Sequence, residues 1–138
     1  MEAGWVVPTM VYIGTVGSMG VASKLAFRTL SWRDLILWTG IGYILLAIGL
    51  LATGTAELRF AEGTPWAALT ATSAIVGLVS IFVALTRGDA SQVVPVSATY
   101  PAVTMVLAAL VLSEDVSPLR VGGVALVIAG VIVLTRAP

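Results

Sequence analysis

Ionisable residues are so sparse that they divide the chain into five uncharged, mostly apolar runs. An α-helix rises 1.5 Å per residue, so about 20 apolar residues cross a hydrocarbon core of about 30 Å. Four runs have that length, namely 3–23, 35–56, 63–86 and 90–113, and the fifth covers 121–135. The fifth run reaches span length if its helix begins near Pro118 and Arg120 extends to the headgroups. Because helices satisfy their own backbone hydrogen bonds in lipid, the sequence predicts an all-α integral membrane protein, a bundle of five transmembrane helices.

Composition agrees with a chain that lives in a bilayer. Of 138 residues, 59% are apolar and only 10% are charged, whereas soluble domains carry about 25% charged residues. Seven basic and seven acidic side chains are too few to cover a water-facing surface. The formal net charge is zero, and no basic run indicates a nucleic-acid partner. We therefore expect the lipid bilayer to be the main surrounding of this chain.

The connections leave no room for a soluble domain. The sequence predicts one transmembrane domain over 1–138, with helices at about 5–29, 34–53, 65–86, 90–112 and 118–135. The longest loop is 53–64, and the other connections are short.

The distribution of basic residues favours one orientation. Five crossings place the two termini on opposite sides of the membrane. The N-terminal side holds Arg59 and Arg120, whereas the other side holds Lys24, Arg28, Arg33, Arg87 and Arg136. Since positive charge accumulates on cytoplasmic loops, five against two predicts an external N-terminus and a cytoplasmic C-terminus in the cell (inner) membrane.

The first helix carries the most basic face of any predicted span. Gly17, Gly20, Lys24 and Arg28 share this face at three- and four-residue spacing, and Ser18 follows Gly17. Lys24 lies near a helix end, so its ammonium either extends to the membrane surface or points into a cavity that attracts an anionic solute. We count Gly17, Ser18 and Lys24 as candidates for a solute path.

The fourth helix contains two prolines. Pro95 and Pro101 each remove a backbone donor and obstruct the carbonyl four residues earlier, so the helix is expected to bend or break. The stripe of Ser97, Tyr100, Pro101 and Thr104 either binds neighbouring helices through its hydroxyl groups or lines a solute path, because broken helices recur at transporter sites.

Small residues predict close helix packing in other spans. Glycine and alanine let helix backbones approach each other in lipid. The positions assigned to packing are Gly14, Gly20, Gly77, Gly122, Ala125, Ala129 and Gly130.

The sequence contains none of the usual catalytic sets. Histidine and cysteine are absent, the acids are dispersed, and no Gly-Lys-Ser/Thr loop is present to bind ATP. No carboxylate lies in the middle of a predicted span, where proton-coupled carriers commonly need one. We expect no enzymatic activity, no metal and no cofactor.

Two stretches resemble a known family of membrane proteins. The segment from Gly17 to Ser31 resembles the opening helix of EamA-type members of the drug/metabolite transporter superfamily. The segment from Leu112 to Gly130, with its acidic turn and Gly122-Gly123 pair, resembles the closing helices of one EamA repeat, and Val16 stands where relatives usually carry Trp. The resemblance implies a single-repeat, five-helix form that exports or exchanges amino acids, metabolites or drugs.

One such repeat supplies half a site, because transporter sites of this architecture lie between inverted repeats. We therefore expect a carrier, facilitator or exporter of a small organic solute that acts as a dimer. The partner is a second copy, for which an antiparallel arrangement is open, or a repeat of opposite topology. The alternatives are a non-transporting membrane subunit and a translocase for lipids or lipid-linked sugars.

Overall fold

The chain consists of helices joined by short turns. A computed structural model describes residues 3–136, in which no strand occurs; the ends of the predicted domain at 1 and 138 lie outside them. A 3-10 turn, Ala3–Trp5, precedes six α-helices. These are α1 (Val6–Ala26), α2 (Trp32–Ala52), α3 (Thr64–Arg87), α4 (Ala90–Ser97), α5 (Tyr100–Val111) and α6 (Pro118–Arg136).

Five helical segments have the length and composition of membrane spans. Four of them are α1, α2, α3 and α6, and α4 with α5 forms the fifth, Ala90–Val111. The shortest has 19 residues, which corresponds to about 28 Å of helix. The predicted all-α fold with five transmembrane helices is therefore confirmed.

The connection between α1 and α2 is fixed by a capping box. The Ser31 backbone N–H donates to Asp34 Oδ2 at 2.7 Å, and the Asp34 N–H donates to Ser31 Oγ at 3.3 Å. These bonds satisfy donors that the first turn of a helix leaves free. The reciprocal pair starts α2 at Trp32, six residues after α1 ends at Ala26.

The end of α2 uses a glycine for a reason of backbone geometry. Gly54 has φ +65°, a left-handed conformation that glycine adopts without steric cost. The Thr55 N–H donates to the Leu50 carbonyl at 3.2 Å, and the Gly54 N–H donates to the Leu51 carbonyl at 3.1 Å. This pair of bonds is a Schellman motif, which ends the helix and begins the longest loop.

The chain packs as two units, one ending at Arg87 and the other beginning at Gly88. In the first unit the buried side chains gather where α1 ends, α2 begins and α3 ends. Leu85 and Phe82 of α3 are 0% and 2% exposed, and Leu35 of α2 is also buried. The Phe27 and Phe82 rings meet edge to face, with centroids 6.2 Å apart. Contact among the three helices is thus concentrated at one end.

In the second unit the proline-bearing span is broken, as its two prolines predict. α4 ends at Ser97 and α5 begins at Tyr100, with Pro95 inside α4 and Pro101 in the first turn of α5. The hydroxyl groups of Ser97 and Thr99 donate to the carbonyl groups of Val94 and Val96, at 2.7 and 2.8 Å. The same two carbonyl groups also accept from the N–H groups of Ala98 and Thr99, at 3.1 and 3.2 Å, and α4 packs against α6.

Candidate functional site

A pocket of about 610 Å³ lies between α5 and α6 in the second unit. Apolar side chains form most of its wall, and the polar groups belong to four residues. The lining residues are Tyr100, Pro101, Thr104, Met105, Ala108, Glu114, Val116, Arg120, Gly123, Val124 and Val127. Its volume and mostly apolar wall are within the range of small-molecule sites, and the pocket is largely open rather than enclosed.

Helix periodicity explains why these residues meet. Tyr100, Thr104 and Ala108 are spaced by four along α5, so they form one stripe. Arg120 and Val127 of α6, which are seven residues apart, likewise share a face. Only six residues, 112–117, join the two helices, so the chain returns and the two stripes lie on opposite sides of the pocket.

The turn after α5 places an acid beside the pocket. Ser113 has φ 53°, an unusual left-handed conformation for a residue other than glycine, and it turns the chain out of the helix. The Glu114 N–H donates back to the Ala108 carbonyl at 3.2 Å. This hydrogen bond holds Glu114 against the end of α5, where it lines the pocket.

The basic side chain of Arg120 lines the same pocket, and residues of the turn before α6 hold it in place. Arg120 Nη1 donates to the Asp115 carbonyl at 3.1 Å, and the Arg120 N–H donates to Ser117 Oγ at 3.4 Å. Within residues 3–136, the ion pair that forms is Arg59 with Glu57, and Arg120 and Glu114 do not pair with each other. The pocket therefore presents one positive and one negative group, each with capacity for a further partner.

Thr104 supplies a neutral polar group to the wall. Its hydroxyl donates to the Tyr100 carbonyl at 3.3 Å, which is a long hydrogen bond for an O–H donor. The Thr104 oxygen keeps its lone pairs, so it can accept from a bound solute. Together with Arg120 and Glu114, it makes a pocket that can bind and orient a solute with an apolar body and polar ends.

The structure brings together three of the seven predicted solute-path residues. Tyr100, Pro101 and Thr104 line the pocket. Ser97 is not among the lining residues, and its hydroxyl donates to the Val94 carbonyl of its own helix. The other three, Gly17, Ser18 and Lys24, belong to α1 in the first unit.

The α1 candidates have different surroundings. The Ser18 hydroxyl donates to the Thr15 carbonyl at 2.8 Å, one turn back in α1. Gly17 is exposed and Lys24 is half-buried. Lys24 forms no salt bridge with any described acidic group.

Sequence reasoning did not assign Glu114 or Arg120 to the site. Glu114 belongs to the acidic turn that resembles the family, and Arg120 is expected from the sequence to extend to the headgroups. The signal that could have identified them is the short connection between two antiparallel spans, which returns the start of α6 to the end of α5. Glu114 and Arg120 have opposite charges and are six residues apart across this turn, so both lie at the end of the pocket between α5 and α6.

Four of the five predicted packing glycines make no close approach within the described chain. A Cβ added at Gly14, Gly77, Gly122 or Gly130 would meet no heavy atom within 4 Å outside the local helix backbone. Gly20 is buried in α1. Gly122, Ala125 and Ala129 instead line an open groove along α6, whose lining residues all belong to that helix. Their role in close packing remains a prediction that concerns contacts with another molecule.

Residues 3–136 contain no group of three or more acidic, histidine or cysteine side chains that could hold a metal ion.

Comparison of the sequence with known proteins identifies a family to which it is similar. Residues 5–136 match the EamA-like transporter family, which spans both units and all five membrane segments. The chain is 33% identical over 95 residues to an uncharacterized protein of Methanocaldococcus jannaschii, an alignment covering 69% of each protein. No solved structure matches the chain significantly.

Proposed function

The chain belongs to the EamA-like transporter family, and we propose that it is a carrier or exporter of a small organic solute that binds in the α5–α6 pocket. The observation that carries the proposal is the meeting of Thr104, Glu114 and Arg120 on one apolar-walled pocket in a multi-pass membrane protein. The apolar body of the solute contacts Met105, Val124 and their neighbours. Its polar ends bind the Arg120 guanidinium and the Glu114 carboxylate.

The active form proposed is a dimer of five-helix repeats. The described chain buries three large apolar side chains, Leu35, Phe82 and Leu85, and leaves most others exposed. Apolar side chains facing lipid need no cover, but the uncovered glycines do indicate backbone surfaces that another helix can approach. A second copy, in antiparallel arrangement, or a repeat of opposite topology supplies that helix and the other half of the site.

We propose that the chain lies in the cell (inner) membrane with its N-terminus outside and its C-terminus in the cytoplasm. It rests on the five basic side chains that the topology assigns to the C-terminal side, against two on the other. An antiparallel homodimer requires a fraction of the chains to insert the other way. Labelling of single cysteines near each terminus in intact cells measures that fraction directly.

Solute flux in proteoliposomes tests the proposal. A thermal-shift screen of amino acids, carboxylic acids and organic cations first finds a ligand, since a ligand of the folded state raises its stability. Counterflow of the labelled ligand then measures transport. Arg120→Gln removes a charged hydrogen bond worth about 1.5–3 kcal/mol, so apparent affinity falls about tenfold or more for a solute with an anionic group.

Ser97→Ala is the matched control for Thr104→Ala. Both changes remove one hydroxyl from the same broken span, but only Thr104 lines the pocket. We expect transport to weaken in Thr104→Ala and to stay within about twofold in Ser97→Ala, since Ser97 hydrogen-bonds within its own helix. Equal effects of the two changes contradict the assignment of the pocket. An absence of flux with one protein co-purifying supports the subunit alternative, and flipping of labelled lipid supports the translocase alternative.

A further inference from the structure

The first unit contains a second apolar groove, which the solute pocket does not use. Its volume is about 410 Å³, and it shares no residue with the α5–α6 pocket. The lining residues are Met19, Ala22, Ser23, Ala26, Leu30, Leu35, Trp38, Thr39 and Phe82. It extends along α1 from Ala26 back to Met19, about 10 Å, within a hydrocarbon leaflet of about 15 Å. The groove therefore runs from the helix end toward the middle of the membrane.

A hydroxyl group on a buried residue opens into this groove. Ser23 is 4% exposed, and no hydrogen bond of its Oγ is found among the described groups. Because no side-chain nitrogen or oxygen of the described residues is both buried and unpaired, the Ser23 hydroxyl is accessible from the groove, where it can donate to a bound molecule or water. Ser23 lies one turn before the end of α1 at Ala26. Because α1 is long enough to cross the hydrocarbon core, we expect this hydroxyl to lie near the boundary between acyl chains and headgroups.

Cations lie close in sequence to residues that line the groove: Arg28 lies between Ala26 and Leu30, and Arg33 lies between Leu30 and Leu35. Residues 3–56 contain Lys24, Arg28 and Arg33 but a single acid, Asp34. The Asp34 carboxylate already accepts from the Ser31 N–H and hydroxyl, both at 2.7 Å. Arg28 and Arg33 are exposed, and the Arg33 guanidinium lies over the Trp32 ring at 5.3 Å from its centroid. This end of the unit therefore offers positive charge that no described carboxylate neutralises.

We propose that this groove binds one anionic phospholipid. An acyl chain lies along Met19, Ala22 and Trp38, an ester carbonyl accepts from the Ser23 hydroxyl, and Arg28 and Arg33 bind the phosphate. A guanidinium suits phosphate because it can donate two parallel hydrogen bonds. A lipid without net charge can place an acyl chain in the groove but does not neutralise the arginines. A free phosphate can bind the arginines but leaves the apolar groove empty.

Native mass spectrometry of the detergent-solubilised chain, titrated with lipid, tests the proposal. The probes are dioleoylphosphatidylglycerol, dioleoylphosphatidylcholine and glycerol phosphate, which separate charge, acyl chain and headgroup. Each cation near a membrane surface contributes about fivefold to the affinity for anionic lipid. The Arg28→Gln/Arg33→Gln variant is therefore expected to bind the anionic lipid about 25-fold more weakly, with little change for phosphatidylcholine.

Two variants control for charge and fold. Arg28→Lys/Arg33→Lys keeps the charge and is expected to retain most of the preference for the anionic lipid. Arg59→Gln removes one positive charge from the loop after α2, where Arg59 already pairs with Glu57, and is expected to change neither affinity. If the double glutamine variant does not fold, the single variants are each expected to lose about fivefold.

Filling the groove tests the acyl chain separately. Ala22→Leu puts a larger side chain into the groove and is expected to weaken binding of both lipids without altering their ratio. The proposal is overturned if the two lipids bind equally, if the glutamine variants keep the preference, or if glycerol phosphate binds as tightly as the lipid. It is also overturned if Ala22→Leu changes neither affinity.

Discussion

Replacing Phe82 by alanine tests what holds the helices of the first unit together. Phe82 is 2% exposed, and its ring meets Phe27 at an interplanar angle of 86°. In water-soluble proteins, Phe→Ala in a core costs about 3–5 kcal/mol, and much of that cost is the transfer of apolar surface from water. In a bilayer the separated helices keep this side chain in lipid, which is as apolar as the protein interior, so the transfer contribution is nearly absent.

The remaining contributions set the expected magnitude. An edge-to-face aromatic pair is worth about 0.5–1.5 kcal/mol beyond the area that it buries. Loss of dispersion contacts around the emptied site adds a somewhat smaller amount, because lipid chains fill a small cavity poorly. We therefore expect Phe82→Ala to cost about 1–2.5 kcal/mol, which is below the cost in a soluble core.

A double-mutant cycle isolates the contribution of the ring pair. Unfolding is measured by steric trapping in bicelles for the parent, Phe27→Ala, Phe82→Ala and the double variant. The coupling energy is expected to be about 0.5–1.5 kcal/mol. Leu37→Ala on α2, where the side chain is 66% exposed, is the control and is expected to change stability by no more than about 0.5 kcal/mol.

Two outcomes refute this reasoning. A cost of 3–5 kcal/mol for Phe82→Ala shows that water reaches the separated helices and that lipid is the wrong reference state. A coupling energy of zero shows that the geometry of the Phe27 and Phe82 rings does not contribute to helix association.

Two further predictions concern the polar ends of α2. Ser31→Ala removes the acceptor for the Asp34 N–H and is expected to lower the free energy of unfolding by about 1 kcal/mol in the same assay, whereas Ser31→Asn, which can also cap, is expected to keep most of it. No loss in Ser31→Ala contradicts a stabilising role for the cap. Glu57→Gln breaks the ion pair with Arg59, in which the Arg59 side chain is 77% exposed and the Glu57 side chain 70% exposed. This change is expected to alter the free energy of unfolding by no more than about 0.5 kcal/mol. A loss above 1 kcal/mol indicates that this loop is packed rather than solvated.

The spans and the helix break could be predicted because each depends on a local property. The length of an uncharged run determines whether a helix can cross the bilayer, and this gives all five spans. Pro95 and Pro101 obstruct hydrogen bonds within their own helix, so the break at Ala98 and Thr99 needs no knowledge of neighbouring helices.

The composition of the pocket could not be predicted in the same way. Whether Glu114 and Arg120 line the pocket depends on how α5 and α6 are rotated about their axes. The residue pattern of a single sequence does not reveal that rotation. Ser97 shows the converse. It shares a stripe with Tyr100 and Thr104 by helical spacing, but the break between α4 and α5 separates them, and its hydroxyl bonds within α4. Helical spacing predicts a shared face only while the helix is continuous.

The same limit applies to glycine. A glycine stripe predicts that another helix can pack closely against the helix that carries it. The stripe does not identify which helix that partner is. Along α6, Val124 and Val127 line the pocket, Gly122 and Ala125 line the open groove, and Gly123 lines both. One helix therefore connects a solute-sized pocket with the surface that we propose for a partner repeat. We expect a partner that packs on the Gly122 side to restrain the rotation of α6, and with it the position of Arg120 at the pocket, which predicts that assembly and solute binding are coupled.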